Sequence, residues 1–258
     1  MKVVAVIPLY NGSAYIEGSL KSILSQSHPV DEIVVVDDGS SDNGAELAQR
    51  LAGHLPHFKL LTKPNGGQSS ARNFGVAHSS ADLIAFLDQD DAWYPDHIER
   101  LIEPFLEECA RPLGWVYSNV DRVDGDGLMM MRSFINAARH PKKNVLNCLG
   151  EDMFILPSAS LILRDAFVDV GGFDEQFVGY EDDDLFLRLF RARWDNVFID
   201  EPLSVWRIHN GSASFSISMG RSRLRFARKL LKEFPDCQTA LKIDPLSASN
   251  IDPLKVVS

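Results

Sequence analysis

Three carboxylates fall within four residues, Asp88, Asp90 and Asp91, at the end of the apolar run Leu83-Ile84-Ala85-Phe86-Leu87. A short apolar run containing an aromatic reads as a buried strand, so the acids crowd where the chain leaves a sheet. Each further like charge costs free energy unless a cation neutralises the group or water screens it. An all-oxygen set with no Cys or His beside it suits a hard ion, Mn2+ or Mg2+, which commonly bridges carboxylates to a phosphate. The bland reading is a solvated acidic turn before a helix whose first turn is Trp93-Tyr94-Pro95-Asp96, where the helix dipole favours acids. The residues upstream weigh against it.

Val6-Ile7-Pro8-Leu9-Tyr10-Asn11 and Val34-Val35-Val36-Asp37-Asp38-Gly39-Ser40 both end apolar strands in polar residues. A planar side chain at one strand end and a carboxylate at the next could grip a nucleobase, the ring stacking and the acid accepting a base N–H. That arrangement rewards uracil over cytosine. Without such a ligand, Tyr10 is an amphipathic residue at the core rim, and Asp37 and Asp38 are turn formers before Gly39. Asn65-Gly66-Gly67-Gln68-Ser69-Ser70-Ala71-Arg72-Asn73 adds a glycine loop entering a helix. Free N–H groups at a helix start can meet an anion, and Arg72 could pair with phosphate.

The elements that must carry these residues alternate. Strands are expected at Lys2 to Leu9, Glu32 to Val36, Lys59 to Leu61 and Asp82 to Leu87, with helices at Ser13 to Gln26, Ala45 to Ala52 and Ser69 or Ser70 to His78. This rhythm implies an α/β fold with a mostly parallel central sheet flanked by helices. Ligands in such sheets bind beyond the carboxyl ends of the strands, where Tyr10, Asp37, Asp38 and the 88–91 acids all fall. After Pro112 the pattern loosens. Gly114 to Ser118, Ala159 to Leu163 and Leu203 to Ile208 look like strands, and Asp165 to Val170 and Asp182 to Ala192 like helices. The Met-rich stretch from Asp121 to Lys143 has few periodic apolar residues and reads as mobile. Arg221 to Phe234 is a basic amphipathic helix.

Composition excludes several classes. The chain has 258 residues, enough for one substantial core. Its formal net charge of -10 argues against nucleic-acid binding, which needs a basic face. The three cysteines, Cys109, Cys148 and Cys237, are odd in number and far apart. With no apolar signal segment at the start, they suggest a reducing, cytoplasmic setting. No apolar run approaches the ~20 residues that span a bilayer.

In this order, the Val6 to Asn11 segment, Val35-Val36-Asp37-Asp38-Gly39-Ser40, Asn65 to Asn73 and Asp88-x-Asp90-Asp91 resemble the family-2 glycosyltransferases of the GT-A fold. Gly171-Gly172-Phe173-Asp174-Glu175, Glu181-Asp182-Asp183-Asp184-Leu185 and Trp206-Arg207-Ile208-His209 extend the resemblance to about residues 3–215. It implies a nucleotide-sugar donor, most often UDP-linked, a divalent metal and inversion at the anomeric carbon. Pro8 and Tyr10 would line the base site, with Asp37 or Asp38 reading the base. Asn65 and Arg72 would lie beside the nucleotide and Asp88 near the ribose. Asp90, Asp91 or both would hold the metal, with His209 directed toward the metal or diphosphate. Glu181-Asp182 would supply the general base, Asp182 being its usual position. The acceptor would be a glycan, a lipid-linked sugar or a protein.

The expected organisation is a GT-A domain over 1–215, with a nucleotide-binding half (1–111) and an acceptor-binding half (112–215), then a helical extension over 216–258. The extension's basic face offers peripheral contact with the inner face of a membrane. A nucleotidyltransferase is the rival enzyme, but Pro8-Leu9-Tyr10-Asn11-Gly12 lacks the basic residues of a triphosphate loop. A binding relic would have lost the Glu181-Asp182 pair, which is intact. Trp115, Trp194 and Trp206 are the candidates to stack on sugar rings; Trp194 and Trp93 read better as core.

Overall fold

The computed structural model describes residues 1–107, 112–142, 153–209, 211 and 217–233. The cysteines, Phe234, Lys143 at the end of the Met-rich stretch and most of the 216–258 extension lie outside them.

The strands are β1 (Val3–Leu9), β2 (Glu32–Asp37), β3 (Phe58–Thr62), β4 (Leu83–Phe86), β5 (Ala92–Trp93), β6 (Leu113–Val123), β7 (Met129–Met131), β8 (Ser160–Leu163) and β9 (Asp195–Arg207). The helices are α1 (Ile16–Leu24), α2 (Gly44–Ala52), α3 (Gln68–Ala77), α4 (His97–Ile102), α5 (Arg164–Asp169), α6 (Glu181–Arg191) and α7 (Ile217–Glu233). One sheet runs β3-β2-β1-β4-β8-β6-β9-β5, with β7 paired to β6. The β3-β2-β1-β4 part is parallel; β8 turns antiparallel and joins it to the second half.

β1 is buried along its whole length, as a parallel strand covered on both faces should be. Its side chains alternate between two cores. Val4 and Val6 pack with α3, α5, α6 and α7, and Val3, Ala5 and Ile7 with α1, α2 and α4. Pairing of β1 with β4 runs only from Val3–Leu83 to Val6–Phe86, so Pro8, which lacks an N–H, costs no ladder bond there.

Four expectations need correction. Trp93 does not open a helix: Ala92 and Trp93 pair with Val205 and Ser204 of β9, and α4 starts only at His97. The strand seen from Leu203 onward begins at Asp195, its charged and proline-containing first half having masked it. Within the Met-rich stretch, Met129–Met131 forms a hairpin strand on β6. Trp115 is fully buried against Phe186 and Phe190, so it faces no ligand.

The basic helix α7 packs on its own domain. Phe226 stacks on Tyr180 with ring centroids 5.6 Å apart, Leu230 is buried, and Lys229 reaches Asp174 (2.8 Å) and Asp184 (2.5 Å). No helix among the described residues is long and apolar enough to cross a membrane.

Candidate active site

A cavity of about 520 Å³ opens beyond the carboxyl ends of β1 and β4. Its lining includes Pro8, Tyr10, Asp38, Asn65, Arg72, Asp88, Asp90, Asp91, Glu181, Asp182 and His209. Every residue expected at the site is therefore in the wall except Asp37, whose carboxylate instead accepts the Ser40 N–H at 3.0 Å.

Asp38 lies in the wall but is almost wholly occupied. Its Oδ1 accepts from Lys63 Nζ (2.6 Å) and the Gly66 N–H (3.0 Å), and its Oδ2 from the Gly67 N–H (2.7 Å). Two of the loop N–H groups expected to face an anion are thus spent on a protein carboxylate. Tyr10, half exposed, presents its ring at the cavity edge. Gln89 fixes that strand end, accepting the Tyr10 N–H (2.8 Å) and donating to the Tyr10 carbonyl (3.1 Å).

The three crowded acids separate by partner. Asp88 accepts from Arg72 Nη2 (2.5 Å) and Gln68 Nε2 (2.8 Å). Asp90 Oδ2 lies 2.9 Å from His209 Nε2, and the His209 ring stacks on Tyr15. Asp91, buried, accepts the Arg207 backbone N–H at 3.0 Å, while Arg207 Nε donates to the Asp90 carbonyl. Burial, then repulsion from Asp88, raises the Asp90 carboxyl; burial, then repulsion from Asp90 and Asp88, raises Asp91 well above the usual range.

This donor set fits a hard divalent ion at one point. Asp90 Oδ2 and His209 Nε2, hydrogen-bonded to each other at 2.9 Å, are an oxygen and an imidazole nitrogen that such an ion could take in place of that hydrogen bond. No group of three or more protein ligands converges among the described residues, so further positions would belong to phosphate and water, the usual state of a Mg2+-type site.

The second cluster enters at the start of α6. Gly179 (φ 94°) and Tyr180 (φ 64°) turn the chain through the left-handed region just before it. The left-handed φ at Gly179 favours glycine, and a Cβ there would also press on the Met219 side chain, 2.2 Å from Sδ. The turn brings Glu181 and Asp182 into the cavity wall, whereas Asp183 and Asp184 are not in it. Asp184 is buried and accepts from Arg188 Nε at 2.8 Å. Asp182 keeps some exposure, yet burial, then repulsion from Glu181, pushes its carboxyl up to about 7, against the pull of the Asp183 N–H and Arg72.

Residues to which the sequence assigned no site role complete the wall, together with Trp206, a candidate to stack on a sugar ring. Gln68, Gln89 and Ser158 hold the acid motif, Ser158 Oγ accepting the Asp88 N–H at 3.1 Å. Trp206 and Arg207 arrive on β9, and Tyr180 and Met219 come from the α6 turn and α7. Gln68 and Gln89 sit inside segments that carried the resemblance. Nothing local to Ser158 or Met219 signals a site.

A nucleotide-sized cavity beyond the carboxyl ends of the parallel strands, with two acid clusters in its wall, is the arrangement expected of a GT-A glycosyltransferase. The sequence matches the family described as glycosyl transferase family 2 over residues 4–171, and the chain belongs to that family. It is 27% identical over 248 residues to the uncharacterized glycosyltransferase YibD of Escherichia coli, covering 90% of this chain and 68% of that one. It is 30% identical over 183 residues to the chondroitin synthase of Pasteurella multocida, covering 71% of this chain and 18% of that longer protein. In several other relatives the match covers only 31–38% of their length.

Among solved structures, Staphylococcus aureus TarS 1-349 in complex with UDP-GlcNAc aligns with a TM-score of 0.73 at 17% identity, over 99% of this chain and 78% of that one. The mannosyltransferase PcManGT of Pyrobaculum calidifontis, in complex with GDP-Man and Mn2+, aligns with a TM-score of 0.65 at 19% identity, over 96% and 67%. These likenesses show the fold.

Proposed function

We propose that this glycosyltransferase moves a sugar from a UDP-sugar to a glycan or lipid-linked acceptor with inversion, using Asp182 as general base and a divalent ion. The observation that carries the reading is one cavity with Asp88, Asp90 and Asp91 in one part of its wall and Glu181 and Asp182 in another. The base stacks on Tyr10 beside Pro8 and Asn65, the ribose meets Asp88, and the diphosphate lies toward Asp90 and His209. When bound, Mn2+ or Mg2+ neutralises charge that develops on the leaving diphosphate. Asp182 accepts the acceptor hydroxyl proton as its oxygen attacks the anomeric carbon. The bond to the diphosphate breaks on the opposite face, and the configuration inverts. The nucleotide-sugar and Mn2+ complexes of the structural neighbours support this reading.

The test is a screen of UDP-, GDP- and dTDP-sugars with and without Mn2+ by thermal shift, followed by anomeric analysis of the product. A folded-state ligand raises the melting temperature by mass action. Stabilisation by a UDP-sugar only with the ion, and an inverted product, are expected; a retained configuration sinks the mechanism.

Peripheral contact with an anionic membrane is a second element of the proposal. Leu224 and Leu231, one heptad apart on α7, are 57% and 38% exposed, and Arg221, Arg228 and Lys232 are exposed on the same helix. Such a face suits an anionic lipid surface. Co-sedimentation with vesicles should rise with anionic lipid content; indifference to it ends the idea.

A further inference from the structure

Arg72 is 1% exposed, and although it lines the cavity both of its Nη atoms already point at protein carboxylates. Its Nη2 donates to Asp88 at 2.5 Å and its Nη1 to Glu181 at 3.1 Å, across 109 positions of sequence. Its Nε is buried without a partner. The guanidinium carbon lies 5.0 Å from the Phe173 ring centroid and 6.0 Å from that of Phe86. A planar guanidinium between aromatic faces, forked to two carboxylates, is held by stacking and geometry together.

The next residue locks the same junction. Asn73 Nδ2 donates to the Phe173 carbonyl at 2.9 Å, and Asn73 Oδ1 accepts the Phe173 N–H at 2.9 Å. The approach leaves no space beside Gly172: a Cβ there would lie 2.8 Å from Asn73 Oδ1, and φ is 69°. The Gly172-Phe173 motif, in the loop between α5 and α6, is thus the seat of α3 in the second half of the fold.

We propose that Arg72 is a positioning residue rather than a phosphate ligand, a strut that ties donor-side Asp88 to the Glu181-Asp182 pair and fixes the base over the cavity. This rests on the inverting reading above. Loss of the strut falls mainly on the base end. Each carboxylate keeps one hydrogen bond without Arg72, Asp88 from Gln68 and Glu181 from the Gly179 N–H; what the base end also loses is the cation that offsets the repulsion between Glu181 and Asp182. Misplacing a reacting group by about 1 Å can cost about 10²-fold in rate.

The experiment measures UDP affinity with Mn2+, and kcat and KM against pH, for Arg72→Lys, Arg72→Met and Phe173→Leu, with Asp182→Asn as reference. In Arg72→Met, kcat should fall about 10²-fold while UDP affinity stays within about 3-fold, and Arg72→Lys should recover part of that loss. The acid limb of kcat should move to higher pH in Arg72→Met. The charged groups facing Asp182 are Glu181 and Arg72, with Asp183 next along the helix, and only the attractive one has gone. Phe173→Leu keeps the ion pairs and loses the stacking face, so it should show a smaller loss of the same kind; it carries the test if Arg72→Met does not fold. A loss of UDP affinity above about 10-fold with kcat unchanged would assign Arg72 to the phosphate and overturn the strut. A near-normal rate in Asp182→Asn would instead overturn the base assignment on which it rests.

Discussion

At the scale of single residues, the four acids at the start of α6 differ in role because of where the helix points them. Asp184 is neutralised inside by Arg188 and Lys229, and Asp182 remains in the cavity wall with its carboxyl raised to about 7. A base works best with a pKa near the operating pH. Asp182→Asn should therefore lower turnover by about 10²–10⁴-fold with UDP binding preserved, and kcat in the parent should rise with pH through about 7. A flat profile from pH 5.5 to 8 would contradict the assignment. The 88–91 cluster divides the same way. Asp90→Ala and His209→Ala should abolish the Mn2+-dependent part of UDP stabilisation. Asp91→Ala leaves the Arg207 N–H unpartnered in the interior and should lower the melting temperature even without ligand. If Asp90→Ala keeps the full Mn2+ effect, the metal is held elsewhere.

Elements explain why much of this was legible in the chain and some was not. The β1-to-β4 half follows a strand–helix rhythm, and its strand ends could be placed from apolar runs that stop at Tyr10, Asp37 and Asp88. Element ends fell within a few residues of the observed ones. β9 was legible only at its end because Asp195, Asp200, Glu201 and Pro202 interrupt any apolar pattern, and its register against β6 shifts near Asn119. Partnership was harder still. Asp38 reads from sequence as a base contact, but it accepts three hydrogen bonds from a loop 25–29 residues away, a pairing set only by the register of β2 with β3. Asp38→Ala should destabilise the fold by about 1.5–3 kcal/mol, the worth of hydrogen bonds to a charged group. By loosening the Gly66-Gly67 loop it should also raise the donor KM. A raised KM with unchanged urea stability would assign Asp38 to direct base reading.

At the scale of the whole molecule, proton binding should set stability and activity against each other. His97 is buried against Trp93, its Nδ1 3.0 Å from the Leu203 carbonyl and its Nε2 unpartnered, and burial lowers its pKa to about 3. The unfolded chain binds that proton near pH 6.5, so the stability His97 contributes is complete above 6.5 and is lost as pH falls toward 3. Asp182 has the opposite sign. Its folded value of about 7 exceeds the unfolded 3.8, so the folded state holds the extra proton in between. Stability from that source is full below about 3.8 and is lost as pH rises to about 7. Above pH 7 the carboxylate is charged, ready to accept a proton and at its most destabilising. Asp182→Asn removes the charge and keeps the volume. Its gain in unfolding free energy over the parent should be near zero at pH 4, grow between pH 4 and 7, and stay level above, measured by urea unfolding without ligand. A variant less stable than the parent at pH 8 would show that Asp182 is tied down as a structural acid, and that its place in the cavity wall is not that of a base.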